Sequence, residues 1–303
     1  MKKDYSKYLK KQKCTIFLFH GVYKNNNYKL VNYTRKHLHE NYFKMVLKKL
    51  SKKGKCISIN EVHYRIKNNI NFDDYSYAIS FDDGFYNNFS VAIPILTKMK
   101  LPAVFYITYD FVNEGLASWT DQLEYILEKS KKGNFTSPIG NLKFKNTIVS
   151  KIDLLIKIRK KLKASKTIDP YKFTDFFARK LNFEKNYKKL NFSLFKKMEW
   201  KHVKRIYNNE LFTIGGHSKK HHILSYLNKK QLQNEIKISL DGMKKKIKGS
   251  IVHYSYPEGV RGTFGKREIK FLKKNGVIIC PSAKQGVNTK DSNLFNLKRI
   301  GVI

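Results

Sequence analysis

Short apolar runs alternate with amphipathic segments along the chain. The clearest runs, residues 14–20, 77–81 and 212–216, have the length of buried strands and are followed by polar residues or glycine. Between such runs, apolar residues recur every three or four positions, which is the spacing of one helix face. Two of these predicted faces consist of Phe43, Val46, Leu47 and Leu50, and of Leu232, Ile236, Met243 and Ile247. Strands that alternate with helices predict an α/β fold.

Residues 120–205 break this alternation. Lysine-rich stretches such as 157–163 alternate there with aromatic residues such as Phe173 and Phe177, and glycine is scarce after Gly140. We interpret the segment as a lysine-rich, mainly helical insertion, placed where it could cover a site. A chain of 303 residues can bury one large core, so we expect a single catalytic domain over residues 1–303 that contains this insertion.

The chain is strongly basic, with 62 Lys and Arg against 23 Asp and Glu and a formal net charge of +39. Lysine, asparagine and isoleucine are abundant together, which is typical of AT-rich coding, so much of the charge is expected to form a solvated surface. Such a field still attracts anionic partners, for example phosphate-bearing sugar carriers or an anionic membrane. We do not expect nucleic acid as the partner, because no recognised binding motif accompanies the lysines.

The cysteines and the amino terminus indicate the compartment. Cys14, Cys56 and Cys280 are widely spaced and odd in number, which is typical of reduced, buried thiols. The amino terminus has no apolar signal stretch, and no run reaches the ~20 apolar residues of a membrane span. We expect a cytoplasmic protein, either free or peripheral on the inner face of the membrane.

Two adjacent carboxylates follow one of the predicted strands. Asp82 and Asp83 precede Gly84, so the strand opens into a turn at its carboxyl end, where α/β folds place their chemistry. Neighbouring like charges repel, and burying both without partners is costly. A bound cation would remove that cost, with one aspartate as its ligand and the other free as a general base.

Two histidines follow another predicted strand. His217 and His221 lie one turn apart if the residues between them are helical, which would point both imidazoles the same way. Alone, the pair is weak evidence, because the chain has 9 histidines, and two aspartates before a glycine also occur in ordinary turns. Both motifs at strand ends of one domain predict a metallohydrolase, in which three ligands hold a cation that activates water.

These motifs resemble a known family. Phe81-Asp82-Asp83-Gly84 and His217-Ser218-x-x-His221 are similar to the first two signature motifs of the polysaccharide deacetylases, the NodB-homology family. Further similarity, to the subgroup associated with surface-polysaccharide synthesis, occurs at residues 17–22, 102–106, 254–259 and 297–300. The resemblance implies a distorted, incomplete (β/α) barrel. It also implies a hydrolase that removes an N-acetyl or O-acetyl group from an amino sugar in a glycan or glycan precursor.

The resemblance also implies roles for individual residues. It makes Asp83, His217 and His221 the metal ligands, and Asp82 the base that activates water. Zinc is the expected ion, although this ligand set would also accept Co²⁺, Ni²⁺ or Fe²⁺. Because deacetylases that trim finished wall polymer work outside the membrane, a cytoplasmic member is expected to act on a phosphate-bearing or lipid-linked precursor.

The chain departs from the family pattern at two places. The third motif commonly carries an arginine that orients the base, whereas Ser255 stands near that position here. The late histidine that donates a proton in the family is also missing, because no histidine follows His253. His20, at the end of the first predicted strand, is a candidate proton donor or a packing residue. Asp82 acting in both directions and water are the other candidate donors.

Three residues are candidates for contacts with the substrate. Tyr256 lies in the segment of the third motif and could flank the pocket or be structural. Trp119 and Asp121 could form the floor of a sugar site, although Asp121 could instead cap the next helix. The altered third motif also leaves open a catalytically inactive, glycan-binding member of the family. Retention of the three ligands and the base argues against that alternative.

Overall fold

A computed structural model describes residues 3–303. The strands are β1 Cys14–Phe19, β2 Gly21–Tyr23, β3 His37–His39, β4 Ser76–Phe81, β5 Ala103–Ile107, β6 Gly133–Ser137, β7 Gly140–Phe144, β8 Phe212–Gly216 and β9 Arg299–Gly301. The helices are α1 Glu40–Lys53, α2 Ile59–Lys67, α3 Ile93–Lys98, α4 Tyr109–Asn113, α5 Trp119–Lys129, α6 Ile148–Ala164, α7 Pro170–Lys180, α8 Trp200–Tyr207, α9 Lys229–Gln233, α10 Ser239–Ile247 and α11 Lys266–Lys274.

A five-stranded parallel sheet, in the order β8-β5-β4-β1-β9, forms the centre of the molecule. Strands β1 and β4 pair along their whole length, from Cys14 opposite Ser76 to Phe19 opposite Phe81. Because all five strands run the same way, their carboxyl ends meet at one edge of the sheet. The structure therefore confirms the predicted α/β fold.

The barrel is distorted on the side between β8 and β9. In place of further strands, residues 3–303 have only isolated parallel bridges there, which join Gly216 to Tyr254, His253 to Ile279 and Pro281 to Leu297. These short pairings carry the chain from one edge strand of the sheet towards the other. The predicted distorted, incomplete (β/α) barrel is confirmed.

The two faces of the central sheet pack into different apolar clusters, because side chains alternate along a strand. From β4, Tyr77, Ile79 and Phe81 join the large cluster that includes the buried face of α1. Ala78 joins a second cluster with residues of β1, β5 and α2. Ser80 lies on the same side as Ala78, and Asp82 continues this alternation beyond the end of the strand.

The helical spacing predicted from sequence is largely confirmed. Phe43, Val46, Leu47 and Leu50 form the buried face of α1. The second predicted face covers α9 and α10, and a capping box between Asn228 and Gln231 forms its amino end. A π-helical turn over Asn234–Ile238 interrupts the regular helix between them.

Residues 120–205, predicted as an insertion, contain most of α5, all of α6 and α7, and an antiparallel hairpin of β6 and β7 that the sequence did not predict. Side chains from these elements, together with Trp119 and Leu30, share an apolar cluster separate from those of the sheet. Helix α6 has 17 residues. Within residues 3–303, no helix combines the length and the apolar character that a membrane crossing requires.

Candidate active site

The candidate residues come together because three parallel strands end side by side. Asp82 and Asp83 follow β4, His20 follows β1, and His217 follows β8. Backbone hydrogen bonds extend the sheet slightly past these ends, from Asp82 N–H to the carbonyl of Phe19 at 3.0 Å and from His217 N–H to the carbonyl of Ile107 at 2.9 Å. The parallel sheet therefore determines the relative positions of these residues.

Asp83, His217 and His221 converge on one point. One ligand atom from each residue lies within 4.8 Å of the other two. The Nε2 atoms of His217 and His221 are 3.7 and 3.6 Å from Asp83 Oδ1, which is too long for a hydrogen bond. Asp83 Oδ1 is buried and accepts no hydrogen bond from residues 3–303. An unpaired buried carboxylate oxygen that faces two imidazole nitrogens fits a divalent cation with nitrogen and oxygen ligands.

A second contact fixes the orientation of His217. Its Nδ1 lies 2.8 Å from the carbonyl oxygen of Ser255. A carbonyl can only accept, so Nδ1 carries the proton and Nε2 keeps its lone pair towards Asp83. This is the usual support for a metal-binding histidine.

The two histidines do not lie on a helix, so this part of the prediction is wrong. The segment that joins them is a loop in which Ser218 and His221 have left-handed φ angles of 65° and 62°. The loop is held by Ser218 Oγ, which accepts from the N–H of His221 at 2.8 Å, and by Glu235, which accepts from two backbone N–H groups at 2.9 Å. Left-handed backbone is costly for residues other than glycine and often marks functional sites.

Asp82 is held by an arginine that sequence reasoning missed. Arg299, from β9, donates from Nη1 and Nη2 to the two carboxylate oxygens of Asp82, each at 2.9 Å. The guanidinium also donates to Ser255 Oγ at 2.9 Å and to the carbonyl of Ser282 at 2.7 Å. Arg299 is only 1% exposed. Thus Arg299 of β9, instead of an arginine in the third motif, orients the carboxylate of Asp82. Ser255, at the third motif, accepts a hydrogen bond from this arginine.

The surroundings of Asp82 keep its carboxylate ionised. Burial by itself would raise the pKa of Asp82, but Arg299 and His217 outweigh burial and hold the pKa below its usual range. A base that stays ionised at neutral pH is able to accept a proton. The one signal in the sequence for this pairing is that Arg299 lies within residues 297–300, a segment similar to the surface-polysaccharide subgroup.

His20 lies in the same cavity as the ligand cluster. Its backbone carbonyl accepts from Asn88 Nδ2 at 2.7 Å, which fixes the start of the loop after β1. Burial lowers the pKa of the imidazole, although Asp83 and Asp82 partly offset this effect. The neutral ring is therefore the favoured form in this structure, and its role stays a prediction.

A cavity of about 180 Å³ contains these groups and opens towards a larger cavity of about 410 Å³. Trp119, Lys163, His221 and Glu258 line both. Tyr256 lines the smaller cavity, but its ring stacks on Phe264 and its hydroxyl donates to the carbonyl of Phe295 at 2.9 Å. Trp119 is therefore well placed for a sugar ring, whereas the hydroxyl of Tyr256 is already engaged.

Asp121 has a different position from the one predicted. Its side chain is fully buried and does not line either cavity. One carboxylate oxygen pairs with Lys36 and the other with Lys197, the latter at 3.0 Å. The cap of α5 is Ser118, whose Oγ accepts from the N–H of Asp121 at 3.1 Å. Asp121 therefore neither lines the cavities nor caps the helix, and the prediction for this residue is wrong.

Comparison with known proteins confirms the resemblance to the polysaccharide deacetylases. The family model described as polysaccharide deacetylase matches residues 169–277. The match includes both histidines of the second motif and begins inside the predicted insertion, but it does not reach Asp82 or Asp83. No curated protein matches the chain.

Solved structures share the fold over nearly the whole chain. IcaB from Ammonifex degensii superposes with a TM-score of 0.62 at 13% identity, covering 98% of this chain and 94% of that one. The deacetylase PplD from Streptococcus pyogenes, in complex with acetate, gives 0.58 at 14% identity, with 96% and 92% covered. The deacetylase domain of BpsB from Bordetella bronchiseptica gives 0.55 at 13%, with 100% and 98% covered. Together with the family model, this fold supports a hydrolytic deacetylase that acts on a glycan.

Proposed function

We propose that the protein is a metal-dependent hydrolase that removes the acetyl group from an N-acetylated amino sugar. The observation that carries the proposal is the unpaired, buried oxygen of Asp83 facing the imidazole nitrogens of His217 and His221. Beside it lies a second carboxylate, Asp82, held by an arginine rather than by the ligand cluster. This separation of a ligand from a base is what hydrolysis of an amide requires.

Asp83, His217 and His221 would hold the ion, and zinc is the expected metal because two imidazoles and a carboxylate suit it. Bound there, a divalent cation supplies Lewis acidity and lowers the pKa of water. The three protein ligands leave room for water and substrate, as catalytic sites require.

The protein's own residues move the protons. Asp82 accepts a proton from the attacking water, and the two hydrogen bonds from Arg299 keep its carboxylate aligned while it does so. The C–N bond of the acetamide then breaks, and the leaving nitrogen takes a proton to form the free amine while acetate departs. His20 and Asp82, which both line this cavity, are the candidate protein donors of that proton, and water is the third candidate.

The substrate class follows from the proposed location. A cytoplasmic enzyme, free or peripheral on the inner face of the membrane, would meet N-acetylated sugars as phosphate-bearing or lipid-linked precursors. The basic charge of +39 supports such anionic carriers.

The proposal is tested by measuring acetate release from N-acetylated sugars with free, nucleotide-linked and lipid-linked reducing ends. We expect release that stops when a chelator removes the metal and resumes when Zn²⁺ or Co²⁺ is added back. Release that is insensitive to complete removal of the metal would contradict the mechanism. Glycan binding without acetate release from any probe would instead indicate the inactive, glycan-binding alternative.

A further inference from the structure

Two cations of the insertion lie along the wall of the catalytic cavity. Arg159 and Lys163 are one turn apart on α6, so they share a face of that helix, and both line the cavity that contains Asp82 and Asp83. Lys163 is compensated, because its Nζ lies 2.6 Å from the carboxylate of Glu258. Arg159 has no such close partner.

Most of the hydrogen-bonding capacity of Arg159 is unused. Only Nη1 has contacts, to the Tyr33 hydroxyl at 3.3 Å and to Glu124 Oε1 at 3.5 Å, which is the outer limit for a hydrogen bond. Nε and Nη2 have no partner among residues 3–303. Neither is a buried atom, since the side chain is 21% exposed and lines the cavity.

The guanidinium is nevertheless held in place. Its Cζ lies 5.7 Å from the centroid of the Tyr33 ring, within the range of a cation–π contact. A planar fork that is already oriented loses little freedom when it binds a carboxylate or a phosphate through two parallel hydrogen bonds. Arg159 therefore has the geometry of a preformed anion receptor.

The charges behind this wall of the cavity do not balance. Lys36 and Lys197 share one carboxylate, that of Asp121. A second carboxyl on this side of the cavity is that of Glu124, which is fully buried. Burial, followed by the effect of Asp121, raises the pKa of Glu124 to about 7 despite the opposing effect of Lys36, so its charge is incomplete at neutral pH.

Asp83 also attracts Lys36 and Lys197, but in the proposed function its charge is matched by the bound ion. Apart from Asp83, the three cations Lys36, Lys197 and Arg159 face two carboxyl groups, those of Asp121 and Glu124, and the second is only partly ionised. A positive excess next to a partly enclosed cavity favours binding of an anion. A neutral glycan would leave this excess uncompensated.

We propose that the substrate carries an acidic group, a carboxylate or a phosphate, on or beside the N-acetylated sugar, and that Arg159 recognises it. This inference rests on the proposed function, because it names the substrate class of the same site. Arg159 acts on specificity, and its contribution is separate from the hydrolytic step at Asp82.

Three related probes test the inference: a neutral N-acetylglucosamine disaccharide, the same disaccharide with a 6-phosphate, and one with a uronic carboxylate in place of the second sugar's hydroxymethyl group. The measured quantity is the ratio of kcat/KM for each acidic probe to that for the neutral probe. In the wild type we expect a ratio well above one for at least one acidic probe. The probe with the higher ratio shows whether the recognised group is a phosphate or a carboxylate.

Arg159→Gln should lower this ratio about 10- to 100-fold, the range for losing a hydrogen bond between charged groups. Arg159→Lys keeps the positive charge but loses the planar guanidinium, so its ratio should lie between those of the wild type and Arg159→Gln. Lys160→Gln removes an exposed charge from the next position on α6 and is the matched control. A wild type without preference, or an Arg159→Gln ratio no different from the Lys160→Gln ratio, would overturn the inference.

Calorimetric titration separates this inference from the proposed function. Inorganic phosphate and glucuronate should bind the wild type more tightly than Arg159→Gln, whether or not acetate is released. Acidic binding through Arg159 without hydrolysis would mean that the proposed function fails and the inference stands. Acetate release with the same ratio in all variants would mean that the proposed function stands and the inference about Arg159 fails. Unfolding curves confirm that each variant is folded.

Discussion

The two adjacent aspartates have different surroundings although they are neighbours in sequence. Asp83 points an unpaired oxygen at two imidazoles, whereas both oxygens of Asp82 are bound by Arg299. A left-handed φ of 78° at Asp83 accompanies this divergence. The backbone thus separates the carboxylate that we propose as a metal ligand from the carboxylate that we propose as the base.

Replacing each aspartate by asparagine should therefore have different effects. Asp82→Asn should keep its metal and lose turnover on the order of 10²-fold or more, because only the base is removed. Asp83→Asn should lose both metal and turnover, since too few ligands remain. Metal analysis of the purified proteins, with the exposed Asp291→Asn as control, measures the difference. Equal metal content in the two variants would show that the roles are assigned wrongly.

The sequence indicated the ligand cluster because its motifs are local. Asp83, His217 and His221 each lie directly after, or within a few residues of, an apolar run that forms a strand. Arg299 was not assigned because its partner lies 217 positions away in the chain. Only the closing of β9 against β1 brings the two together, and no spacing rule reports that pairing.

Among the secondary-structure elements, the loop after β8 is the least predictable. Its two histidines were expected on a helical turn, but residues with positive φ achieve the same convergence. What the sequence also did not show is the support below the loop. The π-helical turn over Asn234–Ile238 places Glu235, only 5% exposed, under the loop, where it binds the N–H groups of Lys219 and Lys220 and Nδ1 of His222.

Glu235 should therefore control metal affinity without touching the metal. Glu235→Ala is expected to weaken Zn²⁺ binding about 10- to 100-fold, the range seen when support behind a ligand is removed. Glu235→Gln keeps one acceptor oxygen and should lie between Ala and the wild type. Competition with a chromogenic chelator measures the dissociation constants, and the exposed Glu210→Ala serves as control. An affinity that is the same in all four proteins would show that the loop holds its shape without Glu235.

At the scale of the whole molecule, the main property that composition predicts is a large positive charge, and the structure shows where that charge lies. The formal charge of +39 is spread along the chain, yet buried cations such as Lys197 and Arg299 are paired with carboxylates. The excess therefore lies mainly on side chains in contact with solvent, for example Lys48, Lys49 and Lys52 on the outer side of α1. An exposed excess acts at long range and is weakened by salt.

This charge gives a test of the proposed contact with the inner face of the membrane. The protein should sediment with vesicles that contain phosphatidylglycerol and remain in solution with vesicles of phosphatidylcholine alone. Raising the ionic strength from about 0.1 M to about 1 M shortens the screening length from about 10 Å to about 3 Å, and it should release the protein. Binding that survives this change would require an apolar contact in addition to charge. Tight, sequence-selective binding to DNA that persists at high salt would point to the nucleic-acid alternative instead, because non-specific attraction to phosphates is lost under the same conditions.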